Sequence, residues 1–177
     1  MEDLFAGVDV STQGQKIVII DLEKRSVIYS DSINYDVDLP KYDTLNGVLK
    51  DTDFGVSESN PNMWIDSLHL LFERLKTSSD IIQSIKAISI AGQQHGLVAI
   101  DKDGNLAKST SKLWNDFSTA EECEILTKEV GGSEQMITEV ANSQRTGYTA
   151  SKIFHMYRNE RELYDNTDHF LLVHNYI

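Results

Sequence analysis

Short apolar runs and amphipathic stretches alternate along this chain of 177 residues. Residues 5–10 and 16–22 are mostly apolar, and residues 26–35 alternate between apolar and polar side chains. Polar turns separate the three runs, which is typical of antiparallel strands in a meander. The first turn, residues 11–15, is built from small and polar side chains and directly follows a strand that we expect to be buried.

A helix follows a polar stretch, residues 36–59, that shows no clear period and that we interpret as a long surface excursion with a small hairpin. Asn60 can cap this helix and Pro61 suits its first position. Its apolar face comprises Trp64, Leu68, Leu71, Phe72 and Leu75. Further elements are predicted as strands at 86–91, 97–101 and 169–173, and as helices at 119–130, with Ser118 and Glu121 at capping-box spacing, and from about residue 150.

This order predicts the α/β class, with one mixed sheet flanked by helices. Three antiparallel strands come first, and helical crossovers then lead into parallel strands. That arrangement is required by an actin-like ATPase or ribonuclease-H-like domain. The length favours a single domain over residues 1–177.

The formal net charge of −12 narrows the choice of partners. Nucleic-acid binding is not expected, because no basic patch is present. The acidic surface would also repel nucleotide triphosphates, so a phosphate site must be built locally from backbone N–H groups and a metal ion. No apolar run approaches the length of a membrane span. The single cysteine, Cys123, suits a reducing compartment and favours the cytoplasm.

Two segments follow predicted strands and carry groups suited to ligands. In residues 7–16, Asp9 comes near the end of a strand and could hold Mg²⁺, the small residues of the following turn could approach a phosphate closely, and Lys16 could add a positive charge. In residues 90–96, Gln94 and His95 offer donors and acceptors that suit the hydroxyls of a polyol. An ordinary polar hairpin turn and a tight solvated loop are the alternative interpretations.

Two later segments could line a pocket. In residues 113–116, Trp114 could stack on the C–H face of a sugar while Asn115 binds its hydroxyls. The alternative is a core tryptophan followed by a helix cap at Asp116, and for Asp116 alone we favour the cap. In residues 145–152, a glycine loop opens a helix, and Thr149 is either its cap or part of a pocket wall.

These segments, in this order, resemble the FGGY carbohydrate kinases. The motifs that carry the resemblance are GVDVSTQ at 7–13, AGQQHG at 91–96, LWND at 113–116, GYTASK at 147–152 and LLVHNYI at 171–177. Tyr148 and Ser151 depart from the Gly-Phe-Thr-Ala-Pro-Lys form of the family segment. The match is closest to the branch that phosphorylates xylulose, and it is loosest at 36–59.

The resemblance implies two actin-like domains, with the sugar held by the N-terminal one and most of the ATP by the second. By position, Gln94, His95, Trp114 and Asn115 would bind the sugar. Asp9, Thr12, Gln13 and Lys16 would face the phosphates of ATP, with Asp9 also toward Mg²⁺. The implied reaction is transfer of the γ-phosphoryl group of ATP to a hydroxyl of a ketopentose, most similar to D-xylulose.

Family members are longer, and their general base lies beyond residue 177, so no catalytic residue is assigned. The expectation is therefore a sugar-binding half without useful kinase turnover of its own, lacking the nucleotide-binding domain. The alternatives are a kinase for ribulose, gluconate or glycerol, and a non-enzymatic sugar-binding or interaction fragment. A homodimer through an exposed apolar face is compatible with the sequence.

Overall fold

In a computed structural model of the chain, residues 3–177 are described. Their strands are β1 Leu4–Val10, β2 Gly14–Asp21, β3 Ser26–Asn34, β4 Thr44–Leu45, β5 Val48–Leu49, β6 Glu58–Ser59, β7 Ile85–Gly92, β8 Val98–Ile100, β9 Ser111–Lys112 and β10 His169–Leu171. The α-helices are α1 Tyr35–Asp38, α2 Pro61–Ser78, α3 Ala120–Glu129, α4 Ser133–Val140, α5 Thr149–Asn159, α6 Arg161–Asp165 and α7 Val173–Tyr176. Two 3₁₀ turns span Pro40–Tyr42 and Asp80–Ser84.

Two compact units divide the chain between them. The first comprises residues 3–50 and 60–93, together with Ile177. The second comprises residues 51–59 and 94–176.

The first unit is built on a four-stranded sheet with the order β3-β2-β1-β7. β1, β2 and β3 form the predicted antiparallel meander, and β7 runs parallel to β1. The register places Val10 opposite Gly92, so β1 and β7 end side by side. The segments that follow these two strands therefore start at the same edge of the sheet.

Helix α2 supplies the crossover from β3 to β7. As predicted, Pro61 begins it and the Asn60 side chain caps it by accepting the N–H of Asn62. Its buried side chains recur at helical spacing: Met63, Trp64, Ser67, Leu71 and Leu75. The alternating face of β1 that is buried in the same unit comprises Leu4, Ala6, Val8 and Val10. The apolar members of these two sets, with Ile17 and Ile19 of β2, supply most of the buried apolar side chains of the first unit.

The polar stretch after β3 contains a hairpin, as predicted. β4 pairs antiparallel with β5, and Asn46 and Gly47 between them both have positive φ, 55° and 76°. An Asn-Gly pair with two positive φ angles is the preferred turn of a two-residue hairpin.

The second unit has a smaller core, in which Leu97 and Ala99 pack against Met156 of α5. The partly buried Tyr164 and Phe170 pack against this cluster. Two short antiparallel pairs complete the unit, β6 with β9 and β8 with β10.

Four details of the predicted elements were wrong. The strand predicted at 169–173 ends at Leu171, since Val173 already begins α7. Among the described residues only β7 joins the main sheet in parallel, because the last strand, β10, pairs antiparallel with β8 instead. The expected capping box at α3 is absent, since Thr119 precedes the helix without a side-chain cap and the Ser118 hydroxyl donates to Asp116. Thr149 is the first residue of α5 and not its cap.

Across residues 3–177, none of the helices combines the length and the hydropathy that a membrane crossing requires.

Candidate functional site

The candidate phosphate turn, residues 11–14, lies in the first unit at the end of β1. The N–H of Ser11 donates to the carbonyl of Gly14 at 3.0 Å, which closes the turn. The Ser11 hydroxyl donates to a carboxylate oxygen of Asp9 at 2.6 Å. Gly14 is needed here, because a Cβ at this position would overlap the carbonyl oxygen of Ile33 on β3.

Two neighbours hold the turn from either side. Gln93, just after β7, donates its N–H to the carbonyl of Val10 at 2.8 Å and accepts the Thr12 hydroxyl at 3.2 Å. Tyr35, after β3, donates its N–H to the carbonyl of Gln13 at 3.1 Å and its hydroxyl to the carbonyl of Ser11 at 3.3 Å. Burial raises the pKa of the Tyr35 phenol, which keeps this donor protonated.

The β4–β5 hairpin also touches the turn. A Cβ at Gly47 would overlap the carbonyl oxygen of Thr12, so only glycine permits this approach. Asp36 fixes the hairpin by accepting the N–H groups of Asn46 and Gly47 at 2.6 and 3.0 Å, and the Thr44 hydroxyl at 2.7 Å. Burial acts to raise the pKa of Asp36, but these hydrogen bonds and the charge of Lys50 lower it overall.

The exposed side chains in this turn and on the strands beside it carry groups that suit a magnesium nucleotide. Asp9 and Gln13 are exposed, and Lys16 is exposed opposite Asp9 in the β1–β2 register. No group of three or more His, Cys, Asp or Glu side chains suited to a metal occurs among residues 3–177. A divalent ion at Asp9 would therefore have one protein carboxylate and take its other ligands from water and phosphate, as Mg²⁺ prefers.

The candidate sugar residues all lie in the second unit. Gln94 is exposed, and His95 beside it is partly buried with φ of 59°, in the left-handed region that few non-glycine residues adopt. The His95 ring packs on Tyr148 with 4.6 Å between ring centroids. Its carbonyl accepts a hydrogen bond of 2.5 Å from the ammonium group of Lys152. Burial, followed by the charge of Lys152, lowers the pKa of His95.

The segment at 113–116 presents one aromatic ring and buries one carboxylate. Trp114 is 51% exposed, so the alternative of a core tryptophan is wrong. The carbonyl of Trp114 faces Gly147, where a Cβ would overlap it. Asn115 accepts the hydroxyl of Ser57 at 2.8 Å, which fixes the orientation of its amide.

Asp116 is fully buried and does not cap a helix, so that interpretation is wrong. One of its oxygens accepts the N–H of Ser57 at 2.9 Å, and the other accepts the N–H and hydroxyl of Ser118 at 3.1 and 2.6 Å. The ammonium group of Lys112 lies 3.4 Å from the first oxygen. Asp116 thus joins the backbone at Ser57 to the backbone at Ser118, and this fixes the segment that carries Asn115.

The structure therefore sorts the eight predicted residues into two groups. Gln94, His95, Trp114 and Asn115 belong to the second unit, and Asp9, Thr12, Gln13 and Lys16 belong to the first. Residues 147–148 connect members of the sugar group in the second unit, because Gly147 faces Trp114 and Tyr148 packs on His95.

Sequence reasoning missed the residues that support these groups. In the first unit they are Asp36 and Gly47, and in the second they are Ser57, Tyr148 and Lys152. The Asn-Gly pair was the one usable signal for the hairpin, and GYTASK drew attention to 147–152 without assigning a role to its lysine. A cavity of about 670 Å³ beside Cys123, Thr127 and Gly131 contains none of the predicted residues.

Comparison with known proteins identifies the family. The model for the N-terminal domain of the FGGY family of carbohydrate kinases matches residues 4–177. The chain belongs to the FGGY family of carbohydrate kinases. The prediction of this family from the five motifs is thereby confirmed.

Among the curated FGGY relatives, xylulose kinase of Schizosaccharomyces pombe is 35% identical over 98% of the chain and 34% of its own length. Xylulose kinase of Haemophilus influenzae is 32% identical, with coverage of 98% of the chain and 34% of the relative. The chain thus spans about a third of the length of the curated relatives it matches.

Solved structures show the same fold. Xylulose kinase from Bifidobacterium adolescentis superimposes with a TM-score of 0.78 at 24% identity, over 99% of this chain and 33% of that one. Glycerol kinase from Plasmodium falciparum, solved with ADP, gives a TM-score of 0.75 at 19% identity, over 99% and 33%. The predicted actin-like α/β fold is confirmed.

Proposed function

We propose that this chain supplies the sugar-binding part of an ATP-dependent kinase that phosphorylates D-xylulose to D-xylulose 5-phosphate. Two lines of support meet in this proposal: the curated relatives quoted above are named xylulose kinases, and the second unit presents an exposed ring beside oriented polar groups. The observation that carries it is the arrangement of Trp114, exposed, next to Asn115, whose amide is held by Ser57.

Each residue has a proposed role that follows from its chemistry. Trp114 would take the C–H face of the open-chain sugar, while Asn115, Gln94 and His95 would exchange hydrogen bonds with its hydroxyls. In the first unit, the Asp9 carboxylate would hold Mg²⁺.

The phosphates of ATP would meet the first unit at Thr12, Gln13 and Lys16. The backbone of the turn would orient them, and Lys16 would offset part of their charge. No residue of this chain is assigned as the general base. The proposed location of the protein is the cytoplasm, where ATP is available. Formation of a homodimer stays a prediction.

A second candidate keeps the fold and changes the acceptor. A gluconate kinase from Lactobacillus acidophilus superimposes with a TM-score of 0.79 at 19% identity, and the glycerol kinase quoted above is also similar. These likenesses show the fold alone, so gluconate, glycerol and D-ribulose belong in the same experiment as D-xylulose.

The test is a titration of the 177-residue chain with these four compounds, followed by isothermal titration calorimetry for affinity and by NMR for the residues affected. We expect saturable binding of D-xylulose with shifts at Gln94, His95, Trp114 and Asn115, and weaker binding of the other three. Trp114→Ala should weaken D-xylulose binding about tenfold, because it removes the stacking surface.

Phe117→Ala is the matched control, since Phe117 is an exposed aromatic residue three positions away, 64% exposed, and has no predicted role. The control should bind D-xylulose as the wild type does. If gluconate, glycerol or D-ribulose binds more tightly than D-xylulose, that compound replaces D-xylulose as the proposed substrate. If Trp114→Ala and Phe117→Ala lose equal affinity for D-xylulose, Trp114 is not part of the sugar site.

A further inference from the structure

The side chain of Lys152 contacts the backbone of His95, one of the candidate sugar residues. We propose that Lys152 is a positioning residue of the sugar site, whose ammonium group holds the carbonyl of His95 and keeps that residue in the conformation that presents its imidazole. This inference rests on the proposed sugar-binding function, since it concerns how the same site is kept in shape.

The first support is the burial of the amine. The Lys152 side chain is fully buried, and its ammonium group donates to the His95 carbonyl at 2.5 Å. Burying a charged amine is costly unless it is paired or hydrogen-bonded, so a lysine at such a position needs a partner that uses its charge. A charge-assisted hydrogen bond to one carbonyl is stronger than one between neutral groups.

The second support is the backbone of His95. With φ of 59° it occupies the left-handed region, which costs energy for a residue with a Cβ and persists only where the surroundings impose it. The bond from Lys152 acts on the carbonyl of that same residue. The hydrogen bond from Lys152 therefore offsets the backbone strain at His95. The sequence alone would not predict such strain at a histidine.

The third support is that two residues at the start of α5 contact His95. Lys152 lies in the first turn of α5, and Tyr148 is the residue that precedes this helix. Tyr148 packs on the ring of His95, while Lys152 binds its carbonyl. The start of α5 thus fixes both the backbone and the imidazole, which is what a hydrogen-bonding partner of a sugar requires.

The charges around Lys152 are consistent with an ammonium group at neutral pH. Burial lowers the pKa of Lys152 to about 8, Asp116 acts to raise it and Lys112 acts to lower it. Lys152 is in turn a cause of the lowered pKa of His95. Replacement of Lys152 should therefore be visible at the His95 ring as well as at its backbone.

The experiment compares Lys152→Met with Lys108→Met in the 177-residue chain. Lys108 is a matched control: it is largely buried and lines the same small cavity as Lys152, but it pairs with Glu160 at 2.6 Å. Without sugar, Lys152→Met should shift the His95 Cα resonance and the coupling between its N–H and Hα away from left-handed values, and should raise the pKa of its imidazole. Lys108→Met should leave all three at wild-type values.

With sugar, Lys152→Met should weaken D-xylulose binding about tenfold, and Lys108→Met should change it by less than about twofold. Left-handed backbone values at His95 together with unchanged affinity in Lys152→Met would overturn the proposal. If the wild-type chain binds no D-xylulose, the proposed function fails, and the sugar-free measurements alone decide whether Lys152 holds His95.

Should Lys152→Met not fold, Lys152→Gln tests the same contact. Its side chain is one atom shorter than lysine and its amide is uncharged, so the hydrogen bond to the His95 carbonyl should weaken and the coupling between the N–H and Hα of His95 should move away from its left-handed value. A fully left-handed coupling at His95 together with wild-type affinity for D-xylulose in that variant would contradict the proposal.

Discussion

Lys152 contributes to stability in a way that depends on pH. Burial lowers its pKa to about 8 in the folded chain, against about 10.4 for an exposed lysine in an unfolded one. Between these two values the unfolded state binds more protons at Lys152 than the folded state does. The contribution of Lys152 to the free energy of unfolding therefore rises with pH in this window, and below it the penalty for burying the charge is constant.

We predict that the free energy of unfolding of the wild type, relative to Lys152→Met, increases by on the order of 2 kcal/mol between about pH 8 and pH 10. Denaturant unfolding of both chains at several pH values measures this difference, and groups that titrate in both chains cancel. A difference that stays flat across the window would show that Lys152 titrates as an exposed lysine.

Single residues differ in how much of their role the sequence can predict. Side-chain chemistry and a motif together predict Trp114 and Asn115 as sugar-binding residues, and that role stays a prediction. Lys152 was missed because its partner, the carbonyl of His95, lies 57 positions away along the chain. Asp116 was assigned to a helix cap, since short-range patterns cannot show that its N–H donors come partly from Ser57.

At the scale of elements, the β4–β5 hairpin supports the candidate phosphate turn. Gly47 packs on the carbonyl of Thr12, and Asp36 fixes the hairpin through three hydrogen bonds. A side chain at position 47 would have to displace the backbone at Thr12. The hydrogen bonds that join Tyr35 and Gln93 to this turn and to the end of β1 oppose that movement.

We predict that Gly47→Ala lowers the free energy of unfolding by about 2 kcal/mol or more and shifts the amide resonances of Thr12 and Gln13. Gly104→Ala is the control, because Gly104 also has positive φ, 83°, but a Cβ there would meet nothing within 4 Å. It should cost only the backbone strain, about 1 kcal/mol, and leave Thr12 and Gln13 unshifted. Equal effects of the two variants would mean that the hairpin does not brace the turn.

Elements were predicted where one periodicity dominated the sequence. The meander, the start of α2 and β7 follow from alternation, helical spacing and a cap, and their predicted bounds agree with the structure to within two residues. The pairing of β10 was not predictable, because a three-residue apolar strand carries no information on its partner. The pairing places His169 opposite Ile100, and the N–H of Asp168 just before it donates to the carbonyl of Ile100, so these contacts join residues far apart along the chain.

For the whole chain, the division of the predicted residues between two units has a measurable consequence. The four sugar candidates belong to the second unit and the four phosphate candidates to the first. A ligand that binds a folded unit suppresses its opening, so exchange of backbone amides slows where the ligand binds. We predict that D-xylulose slows hydrogen exchange in residues 94–96, 113–116 and 147–152.

The same sugar should leave exchange in residues 9–16 unchanged. Mass spectrometry of exchanged peptides, with D-xylulose near saturation and glycerol at the same concentration, measures both sets at once. Trp114→Ala at equal sugar concentration should lose the protection, which separates binding at the site from a general effect of sugar on stability. Protection confined to 9–16, or spread evenly over both units and retained in Trp114→Ala, would contradict the assignment of sugar binding to the second unit.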